Sequence, residues 1–174
     1  MSWAIPLAIV ITTVGVMELV AYSVHRWIMH GSFGWGWHKS HHDEHGDHQG
    51  GFEKNDLYGL VFSVIAAGLF ILSDGWLWWV AVGMTVYGVI YLLLHDCLVH
   101  QRWPFRAIPR RGYLRRVYQA HRLHHAVEGR EGCVSFGFIY APPVERLKNE
   151  LRQTGGLRQD RQAADADAAR DQTR

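Results

Sequence analysis

Residues 3–24 read WAIPLAIVITTVGVMELVAYSV, a long and almost entirely apolar segment. Its only charged residue is Glu18. At about 1.5 Å per residue, a helix of this length crosses a hydrocarbon core of about 30 Å. It lacks the basic n-region and the small-residue cleavage site of a secretory signal peptide. We therefore expect a retained transmembrane helix.

Two further apolar segments, residues 57–72 and 76–94, contain no charged residue and are separated by the turn sequence Ser73-Asp74-Gly75. They predict a helical hairpin. Its first arm is short for a span, so we expect interfacial residues before it or a locally thinned bilayer. Tryptophans at the start of the second arm are typical of a membrane interface. The predicted fold is all-α, an integral membrane helical bundle with spans at about 3–24, 57–72 and 76–94.

The basic residues predict the orientation of these spans. All 18 Lys and Arg fall in residues 25–56 and 95–174, which three spans place on one side of the membrane. The positive-inside rule makes that side the cytoplasm. We expect a multi-pass protein of the cytoplasmic (inner) membrane. The net charge of +2 is too small to suggest a nucleic acid partner, and two cysteines are too few for a disulfide framework.

All twelve histidines lie in the same two segments and predict a histidine-rich cytoplasmic cap, with His38 to His48 in the loop that follows the first span. Ten of them form four clusters, an x4 pair and an HxxHH triplet in each half of the chain. The clusters are His25 and His30; His38, His41 and His42; His95 and His100; and His121, His124 and His125. The spacing i, i+3, i+4 puts three imidazoles on one arc of a helix.

The last triplet lies in a predicted helix at residues 112–127. Tyr113, Val117 and Tyr118 share the arc of its three histidines, whereas Arg115, Arg116 and Arg122 point elsewhere on the helical wheel. The histidines therefore continue a buried stripe.

Ten neutral imidazoles exceed the four to six positions of one metal, so the clusters predict two metal ions. An i, i+5 pair lies about 140° apart on an ideal helix. Each x4 pair must therefore bind across a helix end or a bulge, or serve two different metals. His45 and His48 fall outside the pattern, in the polar run 43–49, and are interpreted as solvated loop residues.

Two carboxylates close to the clusters are candidates for supporting a ligand or lining a substrate channel. Glu18 lies seven residues before His25, on the same helical face and deeper in the membrane. An intramembrane carboxylate is a functional candidate, although pairing with a neighbouring helix would also explain it. Asp96, next to His95, is the second candidate.

The chain divides into a membrane-embedded domain, residues 1–143, and a charged tail, residues 144–174. Residues 133–141 are apolar but too short to span, which predicts a re-entrant or interfacial piece ending at Pro142-Pro143. The tail predicts a surface helix that frays into disorder.

Three strings are more specific than the histidine spacing: HDCLVHQRWPFRAIP (95–109), GYLRRVYQAHRLHHAVEG (112–129) and EGCVSFGFIYAPP (131–143). With the histidine clusters, they make residues 1–143 similar to the bacterial β-carotene 3-hydroxylases, which belong to the membrane fatty acid hydroxylase superfamily. The resemblance implies a non-haem di-iron monooxygenase that hydroxylates the β-ionone rings of carotenoids at C3, from β-carotene through β-cryptoxanthin to zeaxanthin.

The same resemblance implies O2 as co-substrate, electrons from ferredoxin and NAD(P)H, and a carotenoid that enters from the lipid phase. Iron fits, because hydroxylating an unactivated C–H bond needs a redox-active metal. The basic residues near the cap would bind an acidic ferredoxin or anionic lipid head groups. They are Arg102, Arg106, Arg110, Arg111, Arg115 and Arg116.

Three alternatives remain open from the sequence. The first is a related di-iron membrane hydroxylase, ketolase or desaturase acting on another lipid. The second is a non-catalytic membrane protein that binds or transports metal, for which polar residues should interrupt the spans; only Glu18 does so. The third is a zinc hydrolase, which the absence of any HExxH motif disfavours.

Overall fold

The computed structural model describes residues 3–42, 52–102, 108–127 and 129–155. Within these ranges the secondary structure is entirely helical, which confirms the predicted fold class. The α-helices are α1 (Ala4–Ser23), α2 (Trp35–His42), α3 (Asp56–Leu72), α4 (Gly75–Tyr91), α5 (Gly112–His124) and α6 (Val144–Thr154). Two π-helical segments, Val24–Met29 and Leu92–Val99, continue α1 and α4 without a break.

Two of the helices are long and apolar enough to cross a membrane. They are α1 with its π-helical continuation, 26 residues, and α4 with its continuation, 25 residues. Helix α3 has 17 residues and forms the predicted hairpin with α4. Apolar side chains such as Ile5, Leu19 and Ile71 are 68%, 68% and 81% exposed on these helices. Apolar surface on this scale suits contact with lipid.

Helices α1 and α4 pack closely at one glycine. A Cβ atom added to Gly83 would lie 2.5 Å from Cβ of Thr13 and 3.1 Å from the carbonyl oxygen of Val10. A small residue at this position is what lets two helix backbones approach in lipid. This contact fixes the lateral position of the two helices whose ends carry histidine pairs.

The cap differs from the prediction in two places. The first triplet lies on helix α2 rather than in the expected loop, and all three of its side chains, His38, His41 and His42, are buried. Helix α5 ends at His124 rather than at residue 127. Its buried stripe contains Val117, Ala120, His121 and His124, whereas Tyr113 is 44% exposed.

The C-terminal part of the described chain forms a small apolar core beside the cap. Residues 133–141 adopt no regular secondary structure, and Val134 and Phe136 are buried there. Leu147 and Leu151 of α6 complete this core with Val117 of α5. Packing therefore continues beyond residue 143, and the predicted domain boundary there stays a prediction. His45, His48, Arg106 and the tail from residue 156 lie outside the described residues.

Candidate metal centre

The two x4 histidine pairs lie on the two π-helical segments. Their backbones form i→i+5 hydrogen bonds, from His30 N to His25 O at 3.0 Å and from His100 N to His95 O at 2.9 Å. A π-helical turn holds more residues than an α-helical turn, so i and i+5 come to the same side. The ring centroids lie 5.3 Å apart in the first pair and 4.5 Å apart in the second. Each x4 pair therefore spans a π-helical bulge and ends at the C-terminus of its helix, which are two of the three predicted options.

The ten patterned histidines converge in two groups of five. Group A contains His25, His30, His38, His42 and His124. Group B contains His41, His95, His100, His121 and His125. Nearly all of these side chains are buried, and the groups adjoin where the rings of His42 and His125 approach to 4.4 Å.

Each HxxHH triplet is shared between the groups in the same way. The first and last histidines of a triplet join the x4 pair of their own half of the chain. The middle histidine crosses over, so His41 of α2 belongs to group B and His124 of α5 belongs to group A. The spacing i, i+3, i+4 makes this possible, because the middle ring projects from a slightly different direction on the helix. The two groups are therefore interlocked.

Hydrogen bonds at Nδ1 fix the tautomer of several rings. In seven of the ten histidines Nδ1 contacts a carbonyl, amide or carboxylate oxygen at 2.7–3.1 Å. These oxygens only accept hydrogen bonds, so Nδ1 carries the hydrogen and the Nε2 of the neutral ring carries none. That is the tautomer of a metal-bound histidine.

Four pairs of Nε2 atoms without hydrogens face each other at 3.0–3.2 Å. The pairs are His25 with His38, His38 with His42, His30 with His124, and His41 with His95. Two acceptors cannot hydrogen-bond each other, so a cation between them is what stabilises this arrangement. Two nitrogens about 2.1 Å from one ion and at a right angle are roughly 3.0 Å apart. The donor set therefore fits a metal in each group.

Burial keeps several imidazoles of the cap neutral by lowering their pKa values. Burial, together with neighbouring His30, lowers the pKa of His42 to about 3. Burial also lowers the pKa values of His121 and His124 well below the ordinary range, with smaller contributions from nearby imidazoles. Neutral rings are the form that binds metal.

Asp96 lies behind a histidine, as one of the two predicted roles requires: its Oδ1 contacts Nδ1 of His95 at 2.7 Å. Two further residues that contact the Nδ1 atom of a histidine were not predicted. Glu53 contacts Nδ1 of His41 at 3.1 Å, and Asn55 contacts Nδ1 of His38 at 2.7 Å. Both precede α3, and no spacing in the sequence links them to the histidines.

Arg102, predicted as a docking residue, instead donates two hydrogen bonds to Asp56, at 2.8 and 2.9 Å.

Glu18 joins the bundle to the segment beneath the cap. Its Oε1 accepts from the backbone N–H groups of residues 138, 139 and 140 at 2.8–3.0 Å, and its Oε2 accepts from the Tyr87 hydroxyl at 2.8 Å. This segment supplies the Phe136 carbonyl behind His25 and stacks the Phe138 ring on His25, with centroids 5.2 Å apart. Among the contacts that the structure describes, Glu18 acts on the site through this segment.

Two residues near group A have unusual environments. The Cys133 thiol lies within 4.8 Å of ring nitrogens of His42 and His124 and donates to the Gly129 carbonyl. Ser135 has a left-handed φ of 60° between the two residues whose carbonyls accept from His124 and His25. Backbone strain of this kind concentrates at functional sites.

Comparison with known proteins places this geometry in a family. The fatty acid hydroxylase family model matches residues 10–147. A protein named beta-carotene hydroxylase from Paracoccus sp. (strain PC1) is 71% identical over 86% of this chain and 93% of its own length. One of the same name from Pantoea ananas is 52% identical over 98% of this chain and 93% of its own.

A plant protein named beta-carotene 3-hydroxylase 1, chloroplastic, from Arabidopsis thaliana is 35% identical over 80% of this chain and 44% of its own length. No solved structure matches the chain significantly. The family match covers both π-helical segments and both HxxHH triplets. The chain belongs to the fatty acid hydroxylase family.

Proposed function

We propose that this protein is a membrane di-iron monooxygenase that hydroxylates the β-ionone rings of carotenoids at C3, converting β-carotene through β-cryptoxanthin to zeaxanthin. The histidine groups and the family indicate iron. The observation that carries the proposal is the set of hydrogen-free Nε2 pairs at 3.0–3.2 Å in both groups. Imidazole ligands suit iron, and a count of two follows from two five-nitrogen sets.

Bound iron would supply the activation of O2 that hydroxylation of a ring C–H bond needs. The chain itself holds and orients the ten rings through their Nδ1 hydrogen bonds. The residues around the rings exclude water, since Phe136 and Phe138 pack against group A and group B from the bundle side. Exclusion of water protects a reactive site from side reactions.

The carotenoid substrate is supported by the relatives' names and by the position of the site. Both long apolar helices end in histidine pairs, so a lipid-dissolved substrate would reach the cap along their surfaces. A hydrocarbon without polar groups partitions into the bilayer, which places its ring near these helix ends. Membrane lipids are the remaining partners at this surface.

The cap is proposed to face the cytoplasm and to receive electrons from NAD(P)H through a ferredoxin. The distribution of Lys and Arg supports this orientation. Because Arg102 is paired inside the protein, an acidic donor would contact exposed cations such as Arg110, Arg111 and Arg116. Complementary charge would mainly raise the association rate.

Expression in a host that accumulates β-carotene, followed by chromatography of the pigments, tests this proposal. The wild type should convert β-carotene to zeaxanthin with β-cryptoxanthin as the intermediate. A His25→Ala variant at equal membrane abundance should leave β-carotene unchanged. Unchanged β-carotene with the wild type, or only a ketolated or desaturated product, would contradict it.

A further inference from the structure

The oxygens behind the imidazoles differ between the two groups. In group A every described Nδ1 partner is neutral: the carbonyls of Phe136, Arg130, Val127 and Val134, and the amide of Asn55. In group B the described partners are carboxylates, Glu53 behind His41 and Asp96 behind His95. The histidines of the two groups follow the same spacing in the sequence. The residues that hold their Nδ1 atoms differ in charge.

Arg102 joins the carboxylates behind group B into one network. Its guanidinium binds Asp56 through two hydrogen bonds and lies 3.9 Å from Oε1 of Glu53 and 3.8 Å from Oδ1 of Asp96. The backbone N–H of Glu53 also donates to Asp56 at 2.9 Å. The network holds the carboxylates of Glu53 and Asp96 in place behind group B.

A carboxylate behind an imidazole makes that imidazole a stronger metal ligand. The charged acceptor draws the Nδ1 hydrogen and raises the electron density at Nε2, more than a neutral carbonyl does. Group B should therefore bind its metal more tightly than group A and stabilise a higher metal charge.

Group B also faces a small apolar cavity that group A does not line. His95 and His121 form one side of it, and Leu94, Val117, Ala120 and Ala141 are among the apolar residues on the other sides. The cavity lies between the end of α4 and α5, which is where the membrane bundle meets the cap. The small apolar cavity therefore borders the group whose described supports are carboxylates.

From these observations we infer that the two sites are inequivalent. Glu53 and Asp96 are positioning residues that make group B the more strongly donating site. This inference rests on the proposed function, since it requires two irons. The inference adds a difference in metal-binding strength between group A and group B, which the matched histidine spacing does not predict.

Mössbauer spectroscopy of the purified protein, reconstituted with the appropriate iron isotope, tests the asymmetry directly. The wild type should show two quadrupole doublets of equal area and different parameters. Glu53→Gln with Asp96→Asn should shift one doublet toward the other. The reciprocal change, Asn55→Asp, puts a carboxylate behind His38 of group A and should shift the other doublet.

Release of iron to a chelator gives a second readout on the same samples. The wild type should lose iron in two phases, and the Glu53→Gln and Asp96→Asn changes should accelerate the slower phase by about 10- to 100-fold. Asp96→Asn alone should do the same in part, which keeps the test available if the double variant holds no iron.

Two irons per chain with a single doublet, or equal shifts of both doublets in every variant, would overturn the inference and leave the proposed function intact. Fewer than two irons per chain in the active wild type would instead contradict the proposed function, and the inference with it. Iron counted on each sample separates these results.

Discussion

The lipid-facing bundle and the histidine cap are held together by different kinds of contact. In the bundle, α1, α3 and α4 present exposed apolar side chains, and α1 packs closely against α4 at Gly83. In the cap, seven imidazoles each have a specific oxygen partner within 3.1 Å. Generic apolar contact tolerates substitution, whereas a converging ligand set does not.

The largest effect should come from removing one crossed-over ligand. His124→Ala takes a nitrogen from group A and also frees the Val134 carbonyl. Because loss of a residue behind a ligand already costs 10–100-fold, we expect hydroxylation to fall by at least about 100-fold. Product formation per membrane-inserted protein measures it.

Arg122→Ala is the matched control, on the same helix but exposed and outside the groups. It should retain most activity. Equal inactivation of both variants, or zeaxanthin formation by His124→Ala, would show that the ligand face of α5 does not define the site.

A smaller effect is expected at Glu18, where the two regions meet. Glu18→Ala leaves three backbone N–H groups and the Tyr87 hydroxyl without their acceptor, which should loosen the segment that supports His25. Glu18→Gln keeps one oxygen for the N–H groups and should restore most of the function. Thermal loss of bound iron and carotene hydroxylation, measured on both variants, check this; equal defects would refute the role of the acceptor.

Acid should act on the cap before it acts on the bundle. The pKa of His42 is about 3 in the folded protein and about 6.5 when unfolded, so the unfolded state binds more protons between these values. The stability of the iron-free cap is therefore full above pH 6.5 and declines as the pH falls toward 3. Intrinsic tryptophan fluorescence and helical circular dichroism during an acid titration should show the cap changing while span helicity persists. Stability that rises on acidification would contradict this sign.

The smallest effect is expected for His45→Ala and His48→Ala. Both residues lie outside the symmetric clusters, so each variant should keep two irons and most activity. Elemental analysis beside product chromatography measures this. Loss of iron from either variant would add that histidine to the ligand set.

The bundle could be predicted from local sequence because span length and apolar composition are local properties. Its hairpin and its short first arm were both confirmed. The histidine spacing likewise left three options for each x4 pair, a bulge, a helix end or two different metals, and the π-helical segments supply the first two. Helix α2 was missed because its eight residues contain histidines rather than an apolar stripe.

The supports of the ligands could not be predicted, because they depend on tertiary approach. Glu53 and Asn55 precede α3, yet they contact His41 and His38 of α2, which lie 12 and 17 residues earlier in the chain. Arg102 resembled a surface cation, yet it closes the carboxylate network behind group B. The backbone carbonyls that orient group A carry no sequence signal at all.

The metal content of the active protein tests directly whether each five-histidine group binds one iron. Protein purified from the membrane in active form should contain two irons per chain, because each group offers five ring nitrogens to one ion. His124→Ala protein, prepared in the same way, should contain fewer. One iron per chain, or zinc in a preparation that still hydroxylates carotene, would show that the two groups do not form a di-iron site.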